Sequence, residues 1–191
     1  MRKIVLDLET QKNFAEVGGR NKHHLLQVSV AGIYIYPSNR FQIFLEKELT
    51  KLGEILINAD QVIGFNIQQF DFAVLQPYLN FSLEQVPALD ILQEVEKVLG
   101  HRISLEAIAT ATLGLGKTGS GNQAIHLWKT GQIEELKKYC LNDVKLTRDI
   151  YDYGKKYGKL LYRDFFETRE IPVNFTEPLK RTNVAVQPSL F

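Results

Sequence analysis

Between Lys3 and Leu8 the chain reads Lys-Ile-Val-Leu-Asp-Leu, nearly continuous in apolar character and β-branched at Ile4 and Val5. A run so short and so apolar is a buried strand sooner than a helix, and a strand buried on both faces belongs near the middle of a sheet. Alternate side chains of a strand share a face, so Asp7 and Glu9 point one way while Ile4, Leu6 and Leu8 point the other. Two carboxylates side by side at the end of a central strand repel each other. Burying them unpaired is costly, so they imply either a bound hard cation or a polar strand face opening into solvent.

The remaining pattern alternates strands and helices. Leu26 to Tyr36 and Phe41 to Leu45 are β-rich and separated by Pro37-Ser38-Asn39, which predicts an antiparallel hairpin. The stretch before it, Gln11 to His24, is polar and glycine-bearing and reads as a mobile loop. A helix over Glu48 to Asn58, a strand over Gln61 to Phe65 and a helix from Gln68 to about Pro77 or Tyr78 follow. Asp90 with Gln93, and then Ser104, are helix-start signals for two helices ending near Leu99 and Thr112. After a glycine-rich turn, Gly114 to Gly121, the longest helical pattern runs from Ile133 to Tyr153. Lys159 to Phe166 fits an edge strand or a further helix. From Thr168 to Phe191 the prolines 172, 178 and 188 and the lack of periodicity predict an extended tail behind a single domain of residues 1–167. The expected class is α/β, a central mixed sheet flanked by helices.

Composition limits the function classes. The chain has 191 residues, 45% hydrophobic and 24% charged, which suits one folded domain. A net charge of +1 means that binding to a polyanion needs a local basic surface. Lys137, Lys138, Lys145, Arg148, Lys155, Lys156 and Lys159 are candidates for such a rim, but they are interleaved with acids as on any solvated helix face. The single cysteine, Cys140, excludes an internal disulfide and a thiolate zinc cage, so a cytoplasmic protein is expected. The acidic residues after Val5 interrupt any leader-like stretch, and no segment reaches the length of a membrane span.

Two further carboxylates complete a set. In Gly64-Phe65-Asn66-Ile67-Gln68-Gln69-Phe70-Asp71 a strand ends, Gly64 permits an unusual turn, and Asp71 falls at a helix start, where the backbone's partial positive charge favours it. Tyr139 and Asp143 are spaced i,i+4 and share a face beside the apolar stripe of Leu136, Cys140, Val144 and Thr147. Cys140 therefore reads as core. Each element has an ordinary structural explanation; their order along the chain is the informative part.

The motifs Leu6-Asp7-Leu8-Glu9-Thr10, Gly64-Phe65-Asn66 through Phe70-Asp71, and Tyr139-Cys140-Leu141-Asn142-Asp143 closely resemble the three exonuclease motifs of the DEDD superfamily, tyrosine-bearing subgroup. The likeness is to the proofreading domain of B-family DNA polymerases and its stand-alone ribonuclease-H-like relatives. The resemblance implies a ribonuclease-H-like fold and a 3′-5′ exonuclease using two divalent ions, Mg²⁺ or Mn²⁺, on single-stranded DNA, with RNA as the alternative substrate. It implies that Asp7 bridges both ions, that Glu9 and Asp143 complete the site of the nucleophile's ion, and that Asp71 holds the second ion largely through water. It also implies that Tyr139 orients the attacking water and that Asn66 contacts the substrate near the scissile end. A non-catalytic adaptor on the same fold and a phosphodiesterase limited to short oligomers are the competing classes.

Other signals carry less. Gly116-Lys117-Thr118 lacks the spacing and the preceding strand of a nucleotide-binding loop, though Lys117 is a candidate phosphate contact. Phe65, Phe70 and Phe72 are candidates for stacking on terminal bases, with core packing competing for at least two of them. His23, His24, His101 and His126 lack zinc-ligand spacing. The terminal Gln187-Pro188-Ser189-Leu190-Phe191 resembles the peptide by which bacterial proteins dock on the replication sliding clamp, Gln187, Leu190 and Phe191 being its anchors; a tail tucked back onto the domain is the alternative.

Overall fold

Strand β1 (Lys3–Thr10) is the middle strand of a five-stranded sheet, with β2 (Val28–Ile35) and then β3 (Arg40–Leu45) on one side, and β4 (Gln61–Gly64) and then β5 (Ala88–Asp90) on the other. The computed structural model describes residues 1–36, 38–115, 121–165 and 167–175. β2 and β3 form the predicted hairpin, antiparallel to each other and, through β2, to β1; β4 and β5 run parallel to β1. The expected α/β class with a mixed sheet is the one observed. The first strand is two residues longer than its apolar run, so Glu9 lies within it.

The two faces of β1 divide the core as the alternation predicts. Ile4, Leu6 and Leu8 pack with Leu49, Leu52 and Leu56 of helix α1 (Leu49–Ile57) and with Phe72, Val74 and Leu75, most of helix α2 (Asp71–Leu75). Val5, on the face that also carries Asp7 and Glu9, packs with Ile63 and with three helices and two strands beyond it. These are α3 (Ile91–Leu99), α4 (Leu105–Leu113), α6 (Ile133–Tyr157) and the small sheet of β6 (Lys159–Arg163) with β7 (Thr168–Pro172). Each fully buried Leu or Ile contributes ~1.5–3 kcal/mol of transfer free energy.

Helix α6 crosses the sheet at close range because β2 has a glycine beneath it. A Cβ on Gly32 would lie 3.0 Å from both Cys140 Sγ and Val144 Cγ2. Gly32 is paired with Asp7 across the β1–β2 ladder, so the same gap that seats Cys140 and Val144 brings the face of α6 down beside Asp7. The Cys140 thiol donates to the Asp7 carbonyl oxygen at 3.6 Å. The stripe of Leu136, Cys140, Val144 and Thr147 is buried as predicted.

Several elements differ from expectation. α2 starts at Asp71, not Gln68, and a 3-10 turn over Gln76–Tyr78 follows it. β5 is a three-residue strand that the sequence pattern does not announce. Helix α5 (Gly121–Lys129) follows the region read only as a glycine-rich turn. α6 continues four residues past Tyr153 to Tyr157 and ends at Gly158, whose φ of 67° suits a glycine. Lys159 to Arg163 resolves as a strand. Thr168–Pro172, read as the start of an extended tail, pairs with it, and Val173 and Phe175 are buried against the body. The stretch from Gln11 to His24, expected to be mobile, is held by internal bonds, among them Gly19 N–H to the Phe14 carbonyl at 2.9 Å. No described helix is long and apolar enough to cross a membrane.

Candidate metal centre

Three carboxylates meet where β1 passes beneath α6. Asp7, Glu9 and Asp143 each place one oxygen so that all three lie within 4.8 Å of one another. Strand alternation aligns the first two, and the glycine gap under α6 supplies the third. The β1–β2 register shifts between Glu9 and Thr10, so the regular ladder is broken at the site.

Asp71 approaches from the other side and is fixed differently. β4 pairs with β1 only from Lys3 to Val5, so the backbone of β1 beyond that point is served by other groups. The N–H of Leu8 donates to Asp71 Oδ1 at 3.1 Å. Asp71 is close enough to act electrostatically on both Asp7 and Glu9, although it stands outside the tight triplet.

The turn carrying Asp71 is clamped by a residue that sequence reasoning treats only as a helix cap. Asp90 accepts from the N–H groups of Leu92 and Gln93 at 3.1 and 3.4 Å, as a cap should, and also from those of Asn66 and Gln68 at 2.9 and 3.1 Å. Asn66 is the left-handed residue of this turn, with φ 65°. Gly64 is needed for space instead, since a Cβ there would lie 2.6 Å from Ile67 Cβ. The sequence signal for Asp90 as a clamp exists only in three dimensions, because its extra partners are more than twenty residues upstream.

The electrostatics are those of an uncompensated acidic site. Burial pushes the Asp7 carboxyl well above its usual range, and Asp71, Glu9 and Asp143 push it further. Burial, then Asp143 and Asp71, do the same to Glu9. Burial raises Asp71 to about 8 and Asp143 to about 6. Burial and then the neighbouring carboxylates raise the Tyr139 hydroxyl, so it stays protonated near neutral pH. Cys140 is buried and its thiol is pushed up, which makes it inert packing.

These residues fit divalent metal. Asp7 Oδ2 is buried with no hydrogen-bond partner, a state that costs free energy unless a cation or proton satisfies it. All donors are hard carboxylate oxygens, the set that Mg²⁺, Mn²⁺ or Ca²⁺ prefers.

Beside Glu9 opens a cavity of about 340 Å³. Phe14, Leu26, Phe70 and Ile125 supply its apolar walls, and Lys12, Asn13 and Asn122 its polar ones. Of the three phenylalanines that are candidates for base stacking, Phe72 is buried in the core, Phe65 packs against the core on the Val5 face of the sheet, and Phe70 packs on the opposite part of the core and lines the cavity. Phe70 is braced edge-on by Phe14 and His23, with ring centroids 6.1 and 5.9 Å away. Asn66 is turned elsewhere: its side-chain oxygen accepts from Arg102 Nη2 at 2.6 Å. Phe14, Asn122 and Ile125 are lining residues that no linear signal marks. Lys117, Gln187, Leu190 and Phe191 lie outside the described residues.

Residues 6–154 match the model of a family described as RNase_H superfamily. No curated protein matches the chain closely enough to count as a relative.

Proposed function

The chain belongs to the ribonuclease H superfamily, and from that premise we propose that it is a metal-dependent 3′-5′ exonuclease acting on single-stranded nucleic acid, DNA foremost. The fold is the α/β ribonuclease-H-like one, and membership points to a nuclease. The finer reading rests on one observation: an aromatic-walled cavity large enough for a single nucleotide's base opens directly beside a carboxylate triplet.

In this reading Asp7, Glu9, Asp71 and Asp143 hold two divalent ions. When bound, such ions lower the pKa of water and stabilise the charge on attacking and leaving oxygens of a phosphodiester. The protein's own groups do the rest. Phe70 stacks on the terminal base, a contact that any base can make. Confinement of one base beside Glu9 sets the cut one nucleotide from the end, which makes the activity exonucleolytic. Tyr139, a hydroxyl donor at neutral pH rather than a base, orients the attacking water. Buried carboxyls without a cationic partner would be a poor choice for an adaptor, because they destabilise a fold that has no use for them.

The test offers 5′-labelled single-stranded DNA and RNA of one sequence, with Mg²⁺ or Mn²⁺, to the wild-type protein and Asp7→Ala. A ladder of products shortened from the 3′ end, lost in the variant, is expected; its absence under every condition overturns the reading. RNA degraded in preference to DNA would transfer the proposal to RNA. The C-terminal Gln187, Leu190 and Phe191 are proposed to dock on a sliding clamp, and removing residues 187–191 should abolish capture by purified clamp while sparing hydrolysis.

A further inference from the structure

The cavity beside Glu9 has walls from two segments far apart in the chain. One is the strap of residues 11–22, contributing Lys12, Asn13 and Phe14; the other is α5, contributing Asn122 and Ile125. They are joined by an ion pair between Glu16 and Lys129, Oε1 to Nζ 2.5 Å. Asn122, Ile125 and Lys129 are spaced i, i+3, i+7 and so share one face of α5, which puts the pair on the same stripe as the lining residues. On the strap side Glu16 is tied to the lining residue Asn13 by two reciprocal bonds. The Asn13 N–H donates to Glu16 Oε2 at 2.9 Å, and the Glu16 N–H donates to Asn13 Oδ1 at 3.0 Å. α5 itself is seated, with Ala124 and Leu127 buried against Val30, Leu136 and Cys140.

The side chains of Glu16 and Lys129 are 36% and 50% exposed, so the pair is a weak, reversible tie. We propose that Glu16 and Lys129 form a clasp that sets the width of this cavity and so its preference for a single unpaired terminal nucleotide over a base-paired end. The inference rests on the exonuclease reading for its ligand. A base still paired to its partner is roughly twice as broad as the unpaired base that the cavity accommodates. Loosening the clasp lets the strap swing from α5, weakening the grip on a single base and relaxing the exclusion of a pair.

Glu16→Gln keeps an acceptor for the Asn13 N–H and removes only the charge; Lys129→Gln removes the other partner. General electrostatics predicts opposite effects on binding a polyanion, stronger for the first and weaker for the second. The clasp predicts the same direction for both. Binding is read by fluorescence anisotropy of a 5′-labelled single strand and of a blunt duplex in Ca²⁺, with a gel of the same samples to verify intact strands. Each single variant should weaken single-strand binding by about 2- to 5-fold and narrow its advantage over the duplex. The swapped double variant, Glu16→Lys with Lys129→Glu, re-forms the ion pair with net charge unchanged but gives up the acceptor for the Asn13 N–H, so it should restore both in part, binding single strands more tightly than either single variant. Opposite shifts in the two single variants, or no restoration by a swapped protein that melts like wild type, overturn the proposal. Should the swapped protein melt lower, the two single variants decide by their directions alone. Hydrolysis in Mg²⁺ or Mn²⁺ is scored separately: a wild type that binds strand ends but never cleaves them overturns the exonuclease reading and leaves the clasp to be judged by binding. A wild type that does not bind single strands overturns both.

Discussion

The Leu8 backbone N–H and the Asp71 carboxylate, 63 residues apart, are joined by a 3.1 Å hydrogen bond that takes over where β4 stops pairing with β1. The bond holds the fourth carboxylate beside Asp7 and Glu9, and it serves the sheet as well as the site. Asp71→Asn retains an acceptor for Leu8 and removes the charge, whereas Asp71→Ala removes both. Urea denaturation should therefore find Asp71→Ala less stable than Asp71→Asn by about 1–3 kcal/mol, the cost of a buried unsatisfied donor. Both variants should lose strand-degrading activity by at least about a hundredfold. Equal stability would mean that the bond does not hold the turn in place.

The acidic site sets a pH dependence whose sign follows from the direction of the shifts. Asp71 and Asp143 titrate at about 8 and about 6 in the fold, above their ordinary value of 3.8. Groups raised on folding contribute stability that is fully present below the ordinary value and is lost as pH rises through the folded ones. Metal-free protein should accordingly melt lower near pH 8 than near pH 5. Millimolar Mg²⁺ or Mn²⁺ should raise the melting temperature by about 5–10 °C near pH 8, and by clearly less near pH 5, where protons compete for the same oxygens. A metal-induced shift that is equal at both pH values would contradict binding at these carboxylates.

Neutralising the centre should separate stability from activity. Asp7→Asn removes a buried carboxyl whose ionisation is opposed by burial and then by Asp71, Glu9 and Asp143. It should raise the metal-free melting temperature near pH 8 by roughly 2–4 °C, the shift expected for ~1 kcal/mol in a domain of this size, and abolish hydrolysis. A variant that melts lower than wild type without metal would show that the repulsion is relieved by some other means.

How far the sequence could be read depended on whether the signal was local. The alternation of β1 and the buried stripe of α6 were legible because period 2 and period 3.6 are properties of consecutive residues. The shared face of Asp7 and Glu9 followed from the same period, but their meeting with Asp143 did not, because each carboxylate alone has an ordinary structural explanation and only the order of the motifs suggested a joint site. β7 was not, because only Ile171 of its five residues is buried and the rest look like a solvated tail. Helix α5 was hidden behind the glycine-rich stretch before it and a weak core face centred on Ala124 and Leu127. The cavity was illegible in principle: Phe14 and Ile125 meet only after the strap folds against α5. Phe70 could be named a stacking candidate beside Phe65 and Phe72, but all three pack on the core, and only the cavity that Phe70 lines singles it out.

Tyr139 should act on rate and leave metal binding alone. Its hydroxyl is raised by burial and by Asp143, Glu9 and Asp7, so it is a donor throughout the neutral range and no inflection of activity between about pH 6 and 9 should belong to it. Tyr139→Phe keeps the ring and removes the donor. Single-turnover assays should show a loss of about 10- to 100-fold in rate, while the metal-induced thermal shift stays as in wild type. A lost thermal shift would make Tyr139 part of the metal site instead.

Asp90 joins two segments through four N–H groups, those of Asn66 and Gln68 in the turn before Asp71 and those of Leu92 and Gln93 at the start of α3. Replacing it with alanine leaves these donors without their acceptor in a largely buried setting and also removes a helix cap. Loss of a cap alone costs about 0.5–2 kcal/mol, and each buried orphan about 1–3 kcal/mol, not additively. The expected net loss is at least about 2 kcal/mol in urea denaturation. Asp90→Asn is the informative companion. Its carboxamide keeps one acceptor oxygen and loses the other, so it can serve Asn66, Leu92 and Gln93 through the position of Oδ1 but not Gln68 through that of Oδ2. It should be intermediate in stability, and because the turn it releases carries Asp71, it should also weaken the metal-induced thermal shift. A variant that loses stability yet binds metal like wild type would restrict Asp90 to capping α3.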